Sequence, residues 1–283
     1  MPIFYDTHAH LDYPDYATDL ATVIERAASS GIRRIIAIGT DLESSARAVK
    51  LSDRFPSVYA VVGWHPCQAS EAPEDLRPAL RELARHSKVV GLGETGLDHY
   101  RLPSAQGGSP ADDESFKRKQ AELFRQHLEL ASELDLNCVI HQRDAFDEVI
   151  TELAPFANKV RGVFHCFVGS PAEMQRVVAL GSLVSFTGII TFKNASSIRD
   201  TVAATPLNRF MLETDSPDLA PVPFRGKRCE PAYVTETAKV LAETRGAAPD
   251  EIARQTTENF FRLFSKVPRP AAGADKLAQS TQI

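Results

Sequence analysis

Histidines and carboxylates, the side chains that most often bind divalent metals, close several apolar runs of this sequence. They are His8 and His10 after the first run, followed by Glu94, His141, His165 and Asp215 at the ends of four later runs. Imidazole nitrogens and carboxylate oxygens that recur at the same kind of position favour a metal site with more than one ion. The chemistry that such a site supports is metal-assisted hydrolysis.

The spacing of three of these ligands suggests their individual roles. His8 and His10 lie two residues apart, so on an extended backbone both rings point to the same side and can bind one ion. Glu94 carries two oxygens, enough to bridge two ions, although a helix cap or a pair with Arg101 would also explain it. Asp215 either binds a metal, accepts the proton of an attacking water, or caps the following turn.

The other buried polar residues are open to two interpretations. His141 and His165 each close an apolar run, where an imidazole is costly to bury unless a metal or a backbone carbonyl takes its nitrogen. Glu213 is either a carboxylate behind the metal ligands or one that is paired inside the fold. We take both histidines as metal ligands and Glu213 as a supporting residue.

Cationic residues close to these ligands are candidates for substrate binding. Arg143 lies two residues after His141, and Arg225 lies in the segment Phe-Arg-Gly-Lys-Arg (224–228). We expect both arginines near the metals, where they would bind an anionic substrate. The last two residues of the segment fit a solvated face equally well.

Two glycine-containing motifs have different meanings. His65, in Gly-Trp-His-Pro (63–66), is expected at the mouth of the site, whereas Trp64 fits either the mouth or the packed interior. The segment Gly-Leu-Gly-Glu-Thr-Gly (91–96) matches the dinucleotide fingerprint, but it leads into a loop rather than opening a helix. We therefore regard that match as accidental.

The elements that must position these residues alternate along the chain. Short runs rich in Val, Ile, Leu or Phe, typical of strands buried on both faces, end at Asp6, Gly39, Gly63, Gly93, His141, His165, Phe186 and Glu213. Helical patterns lie near 16–30, 42–55, 72–86, 115–135, 144–154, 171–181, 195–205, 231–244 and 249–264. This alternation predicts an α/β fold, a (β/α)8 TIM barrel.

No break divides the chain, so we predict a single barrel domain over residues 1–267. A polar loop is expected at 101–113 and a flexible tail at 268–283. In barrels of this type the active-site groups project from the carboxyl ends of the strands. The predicted ligands fall just past strands one, four, five, six and eight, and His65 falls past strand three, so the fold gathers them at one mouth.

Composition narrows the class of protein. The chain has 283 residues with 43% apolar residues and a formal net charge of -5, which argues against a broad basic surface along duplex nucleic acid. No basic start precedes an apolar stretch, and no run reaches the roughly 18 apolar residues of a membrane span. We expect a cytoplasmic monomer that does not contact a membrane, with four unpaired cysteines.

Six motifs in a fixed order carry a family resemblance. They are Asp-Thr-His-Ala-His-Leu (6–11), Gly-Trp-His-Pro (63–66), Gly-Glu-Thr-Gly-Leu-Asp (93–98), His141-x-Arg143, His-Cys-Phe (165–167) and Glu-Thr-Asp-Ser-Pro (213–217). The sequence from residue 1 to about 264 resembles the TatD family of metal-dependent deoxyribonucleases, which are amidohydrolase-like barrels. Thr95 and Cys229 stand where similar sequences often carry Ile and Asn, differences that concern substrate choice more than metal binding.

The resemblance implies a two-metal site with a defined ligand set. One ion would be held by His8, His10, Glu94 and Asp215, and the other by Glu94, His141 and His165. It also implies Mg²⁺ or Mn²⁺ as the functional ions, with Zn²⁺ possible, and DNA ends or nucleotides as substrate.

These expectations combine into one hypothesis and two alternatives. The hypothesis is a deoxyribonuclease that cleaves phosphodiester bonds exonucleolytically from the ends of single-stranded DNA, through a water activated by two metals. Glu94 would bridge the ions, and Asp215 would orient the water and take its proton. The first alternative is a carbonyl hydrolase acting on an ester, lactone, amide or aminoacyl ester. The second, a non-enzymatic barrel that binds metal or a partner, fits an open barrel mouth poorly.

Overall fold

The computed structural model describes residues 1–270 and contains one sheet of eight parallel strands, paired in sequence order. The strands are β1 Phe4–Ala9, β2 Ile32–Ile38, β3 Val58–Val62, β4 Val89–Asp98, β5 Asn137–Arg143, β6 Gly162–Phe164, β7 Leu183–Phe186 and β8 Phe210–Leu212. The helices are α1 Leu20–Ser29, α2 Leu42–Arg54, α3 Arg77–Ala84, α4 Pro110–Leu134, α5 Phe146–Leu153, α6 Pro171–Ala179, α7 Ser196–Ala204, α8 Val234–Arg245 and α9 Pro249–Leu263.

The last strand returns to the first, which nearly closes the sheet into a barrel. Ala9 and Ser216 form a parallel bridge, and the Ser216 carbonyl accepts a hydrogen bond from the His10 amide at 2.8 Å. The Asp215 amide donates to the His8 carbonyl at 2.9 Å. Since helices follow the strands around this sheet, the predicted (β/α)8 TIM barrel is confirmed.

Successive side chains of a strand point alternately into the barrel and toward the surrounding helices. On β5, Cys138 and Ile140 pack outward in the large core between sheet and helices, whereas Val139 packs in the smaller core inside the barrel. Because side chains on a strand alternate with a period of two, His141 and Arg143 follow Val139 on the inner side. One strand thus supplies an apolar floor, a polar layer above it, and a charged rim.

The end of α9 covers the floor of the barrel. Phe260 and Phe264 are fully buried and belong to the same core as the inward residues Val139 and Met211. The Phe260 ring stacks on Tyr5 of β1 with 4.5 Å between ring centroids. The interior of the barrel at its amino end is therefore filled with apolar side chains, and the polar layer inside the barrel lies toward its carboxyl end.

Two predicted helices start later than their sequence patterns. The pattern from residue 16 begins as a helix only at Leu20, because the Tyr16 ring is fully buried and its hydroxyl donates to the Cys229 carbonyl at 2.6 Å. The pattern from residue 72 begins at Arg77, because the Leu76 amide donates to the side chain of Gln126 at 2.8 Å. Long-range contacts replace the first helical turn in both cases.

Two elements near the mouth are longer than predicted. Helix α4 begins at Pro110 rather than 115, because Ser109 and Asp112 form a reciprocal capping box. The predicted loop 101–113 therefore shrinks, and its first part holds a 3₁₀ turn at Pro103–Gln106. Strand β4 continues to Asp98 instead of ending at Gly93, and its last four residues pair with β5.

Two further predictions concern regions away from the mouth. The predicted tail at 268–283 falls almost entirely outside the described residues, since the description ends at residue 270. Among residues 1–270, none of the helices has the length and apolar character needed to cross a bilayer.

Candidate metal centre

A first cluster of ligand atoms lies where β1 meets β8. His8 Nε2 is 3.3 Å from His10 Nε2 and 3.3 Å from Glu94 Oε2. Asp215 Oδ1 is 3.5 Å from each of the two imidazole nitrogens, and Glu94 Oε2 is 3.7 Å from His10 Nε2. These four residues are the set that the family resemblance implies for one ion.

A second cluster lies above β4, β5 and β6. Glu94 Oε1 is 3.0 Å from His141 Nδ1 and 2.8 Å from His165 Nε2, and those two nitrogens are 3.3 Å apart. His65 Nε2 completes the group at 3.3 Å from both Glu94 Oε1 and His141 Nδ1. The sequence predicted His65 as a residue of the mouth, and the structure makes it a candidate ligand as well.

The separations between these atoms fit metal coordination shells. A tetrahedral shell with bonds of about 2.0–2.1 Å has ligand–ligand edges of about 3.3 Å, and an octahedral shell has edges of about 3.0 Å. The separations within the two clusters run from 2.8 to 3.7 Å. Glu94 contributes one oxygen to each cluster, so the residues present fit two ions held side by side by a shared carboxylate.

The imidazoles of the site lower the pKa values of the two carboxylates that they face. Burial alone would raise the pKa of Glu94, but positive charge on His165, His65 and His8 outweighs burial and holds that pKa well below its usual range. Burial likewise opposes ionisation of Asp215, yet its hydrogen bond with His10 and the charge on His8 lower its pKa. Both carboxylates therefore stay ionised in a buried site.

Asp98 orients one of the histidines, and it is a functional residue that the sequence reasoning missed. Its Oδ2 lies 3.1 Å from His141 Nε2, which leaves His141 Nδ1 directed at the second cluster. A carboxylate that binds the far nitrogen of a metal-ligating imidazole fixes its tautomer and raises its basicity. The sequence did indicate this position, because Asp98 follows Glu94 by four residues on one strand. The two side chains therefore lie on the same face of that strand.

Glu213 lies on the other side of the site, beside His165. Its Oε1 accepts the Cys166 amide at 2.6 Å and lies 3.7 Å from His165 Nδ1, while its Oε2 accepts the Ser185 hydroxyl at 2.5 Å. Neither His165 Nδ1 nor His8 Nδ1 has a hydrogen-bond partner within the described part of the chain. Glu213 is therefore the anion nearest to an otherwise unpaired imidazole nitrogen.

A cleft of about 790 Å³ opens above both clusters, and its wall has two chemically different sides. The side built from β3, β4 and β5 and the segments after them is polar and carries Gln68, Asp98, Arg101, Gln142 and Arg143. The side after β6, β7 and β8 carries the apolar residues Val168, Ile189 and Leu219, with Asp218 beside Leu219. Val168 is 53% exposed, which is unusual for a valine and leaves it free to contact a substrate.

The predicted cationic residues do not all reach the cleft. Arg143 lies on its rim, with its guanidinium stacked 3.7 Å from the centroid of the Tyr100 ring. Arg225 is stacked over Phe192 at 4.0 Å and is not among the described residues that line the cleft. Arg228 is held at 2.7 Å by Asp19 and is likewise not among the described residues that line the cleft. Arg101, which the sequence reasoning treated only as a pairing partner, lines the cleft instead.

Two open questions from the motifs are answered by packing. Trp64 is 8% exposed, belongs to the main core, and donates its indole N–H to the Gln68 carbonyl at 2.9 Å. The barrel-packing interpretation of Trp64 is therefore correct. The glycine-rich segment 91–96 lies inside β4 and is continuous strand, so it lacks the strand–turn–helix context of the dinucleotide fingerprint.

Two curated proteins are similar to most of this chain. The metal-dependent hydrolase YabD of Bacillus subtilis strain 168 is 41% identical over 263 residues, which cover 93% of this chain and 99% of YabD. The metal-dependent hydrolase YcfH of Escherichia coli strain K12 is 37% identical over 265 residues, covering 92% and 94% of the two chains.

Solved structures extend the comparison to the fold. The TatD homologue YjjV of Escherichia coli K12 has 35% sequence identity and a TM-score of 0.83, with 94% of this chain and 98% of YjjV covered. A TatD family hydrolase from Entamoeba histolytica, at 20% identity and a TM-score of 0.78, covers 94% of this chain and 99% of its own and shares the fold. Residues 5–265 match the family described as TatD related DNase. With a two-part cluster of histidines and carboxylates at the barrel mouth, the chain belongs to the TatD family of metal-dependent hydrolases.

Proposed function

We propose that this protein is a deoxyribonuclease that removes nucleotides from the ends of single-stranded DNA. The observation that carries the proposal is the position of Arg143 on the rim of a cleft whose base is the shared carboxylate Glu94. A phosphodiester is an anion that needs both a cationic contact and a site for divalent ions. A neutral ester or amide would gain less from the arginine.

The stacked geometry of Arg143 supports phosphate binding. One face of its guanidinium rests on Tyr100, so the N–H groups in its plane remain available for a bidentate contact with phosphate oxygens. Arg101 lines the same side of the cleft and adds a second positive charge. This side of the cleft is therefore suited to the sugar–phosphate backbone.

The apolar side of the cleft is suited to the base. Val168, Ile189 and Leu219 offer contact area without side-chain donors or acceptors that would distinguish one base edge from another. We therefore expect cleavage with little dependence on sequence. Arg225, stacked outside the cleft, is proposed to contact a phosphate further along the strand.

Each residue of the metal centre has a proposed task. Divalent ions, Mg²⁺ or Mn²⁺ in function, would supply Lewis acidity toward the phosphodiester and toward water. His8, His10, Glu94 and Asp215 would hold one ion, and Glu94, His141 and His165, with His65 beside them, would hold the other. Asp215 is also placed to orient water and to accept its proton.

The proposal is tested with linear and circular single-stranded DNA of one sequence. We expect mononucleotides to appear progressively from the linear strand with Mg²⁺ or Mn²⁺, while the circle stays largely intact. Equal cleavage of the circle would overturn the end requirement. If neither DNA is cut while a carboxylic ester is hydrolysed, the protein is a carbonyl hydrolase instead.

A matched pair of arginine variants tests the phosphate contact. Arg143→Ala should raise KM for DNA about tenfold, the effect of losing one charge-assisted contact. Arg85→Ala removes the same charge from an exposed residue that directly follows α3 and pairs with Glu82, and it should leave KM unchanged. Identical kinetics of the two variants would show that Arg143 does not bind the substrate.

A further inference from the structure

A second polar cavity lies at the opposite end of the barrel from the metal centre. Its volume is about 450 Å³, and its lining includes Asn137, Lys159, Arg161 and Arg262. Asn137 begins β5 and Arg161 immediately precedes β6, so this cavity is at the amino end of the strands. The metal ligands project from the carboxyl end, and the two sites do not share residues.

The cations of this cavity lack carboxylate partners. Within residues 1–270, no carboxylate oxygen lies within 4.0 Å of the side-chain nitrogens of Lys159, Arg161 and Arg262. Arg209 is close by and is equally unpaired. Burial and then the charges of Arg262 and Arg161 lower the pKa of Arg209, which places the three guanidinium groups within electrostatic reach of one another. Asp135 is the one carboxylate among the described residues that line the cavity.

Hydrogen bonds to backbone hold these groups in place. Arg209 donates to the Gly181 carbonyl at 2.9 Å, and Arg262 donates to the Asn208 carbonyl at 3.2 Å. The Asn137 side chain donates to the Leu263 carbonyl at 2.6 Å and accepts the Arg161 amide at 2.9 Å. The cluster is therefore anchored to four different elements, and its remaining N–H groups are available to a ligand.

Several arginines elsewhere in the chain have carboxylate partners. On the outer face of α3, Arg77 and Arg81 are paired with Glu129 and Glu133 at 2.6 and 2.7 Å. A chain with a net charge of -5 has carboxylates to spare, yet a group of like charges stays unpaired around one cavity. Like charges that converge without counterions are unfavourable, and a bound anion removes that cost.

We propose that this cavity binds a small anion that carries two or more phosphate groups. Four cations exceed the charge of a single phosphate, and the volume falls in the range of small-molecule sites, roughly 300–1,000 Å³. Since aromatic rings are missing from the described residues that line it, the phosphates rather than a base supply the recognition. The inference is independent of the proposed nuclease activity.

The test uses the full chain in the presence of EDTA, so that ions at the metal centre do not bind the probe. Inorganic pyrophosphate is titrated by calorimetry, with ADP and orthophosphate as separate arms. We expect pyrophosphate to bind at one site per chain, and orthophosphate at least tenfold more weakly. Binding of ADP as tight as pyrophosphate identifies a nucleotide source, whereas weaker ADP binding identifies an inorganic one.

Charge-matched variants locate the binding site. Arg161→Ala/Arg262→Ala should weaken pyrophosphate binding about tenfold or more, since two exposed charge-assisted contacts are lost. Arg85→Ala/Arg176→Ala removes two exposed, ion-paired arginines and should bind within twofold of wild type. Arg143→Ala should also bind as wild type does.

Four outcomes overturn the proposal. Three of them are the absence of pyrophosphate binding to wild type, equal loss in both double variants, and a loss confined to Arg143→Ala, which would place the anion in the metal cleft. Circular dichroism at the titration temperature confirms that each variant is folded. Equal affinities for orthophosphate and pyrophosphate would contradict the requirement for two phosphates.

Discussion

Replacement of Asp98 by asparagine should weaken metal binding at the second ligand cluster without disturbing the first. Asp98 Oδ1 accepts the amides of Tyr100 and Arg101, both at 3.0 Å, and Oδ2 faces His141 Nε2 at 3.1 Å. In Asp98→Asn the amide oxygen keeps the two backbone donors, so the amide NH₂ must face His141. His141 then accepts at Nε2 and carries its proton on Nδ1, the atom that is directed at the cluster.

The expected loss follows from the role of such carboxylates. Removing the outer partner of a metal-ligating histidine costs about 10–100-fold in metal affinity, or about 1.4–2.7 kcal/mol. Titration of metal-free protein with Zn²⁺ against a chromophoric chelator should give two tight ions per chain for wild type and one for Asp98→Asn. The affinity of the remaining ion should be unchanged, because His8, His10 and Asp215 do not contact Asp98.

A matched control distinguishes the change of the His141 tautomer from a general disturbance of the structure around Asp98. Cys67 donates its thiol to Asp98 Oδ2 at 3.3 Å, so Cys67→Ala removes a neighbour of Asp98 while leaving its charge in place. That variant should keep both ions with affinities within about threefold of wild type. Two tight ions in Asp98→Asn, or equal losses in the two variants, would refute the reasoning.

Three other changes have defined outcomes. Glu94→Gln removes the negative charge that the two clusters share, so turnover should fall by about two orders of magnitude or more. The circular dichroism spectrum should stay that of wild type. Near-normal turnover would exclude the bridging role of Glu94. Gly63→Ala would place a methyl group 2.5 Å from the Gly93 backbone and should lower the free energy of unfolding in urea by about 1–3 kcal/mol. An unchanged unfolding midpoint would show that the backbone moves to accommodate the methyl group without cost. His127 accepts the Trp64 amide at 3.1 Å, and burial lowers its pKa to about 4. The unfolded state therefore takes up the proton first as pH falls, and about 2 kcal/mol of stability should be lost between pH 7 and 5; His127→Gln should lack this part of the pH dependence, and identical slopes would contradict it.

The sequence was sufficient to predict the fold and the place of most candidate ligands because the relevant signals are local. Buried parallel strands read as continuous apolar runs, and a polar residue that ends such a run is conspicuous. His8, Glu94, His141, His165 and Asp215 all carry that signal, and the barrel rule then places them at one mouth. The structure brings every one of them into one of the two clusters.

What the sequence could not supply depends on contacts between distant segments. The late start of α1 is set by the contact between Tyr16 and Cys229, which no local pattern encodes. Arg225 was expected near the metals because it follows the last strand, but its loop directs the side chain onto Phe192. The place of His65 beside the second cluster likewise depends on how closely β3 approaches β5 across the barrel mouth.

The junction between β1 and β8 also links metal binding at the first cluster to the order in which the chain folds. His8 and Thr214 are neighbours in space but 206 residues apart in the chain, and Asp215 follows directly. An ion held by His8, His10 and Asp215 would act as a crosslink that closes almost the whole barrel into a loop. The entropy of closing a loop of that length corresponds to about 5 kcal/mol. A chain still lacking its last strand has no such crosslink, so tight binding at this cluster marks the completion of the barrel.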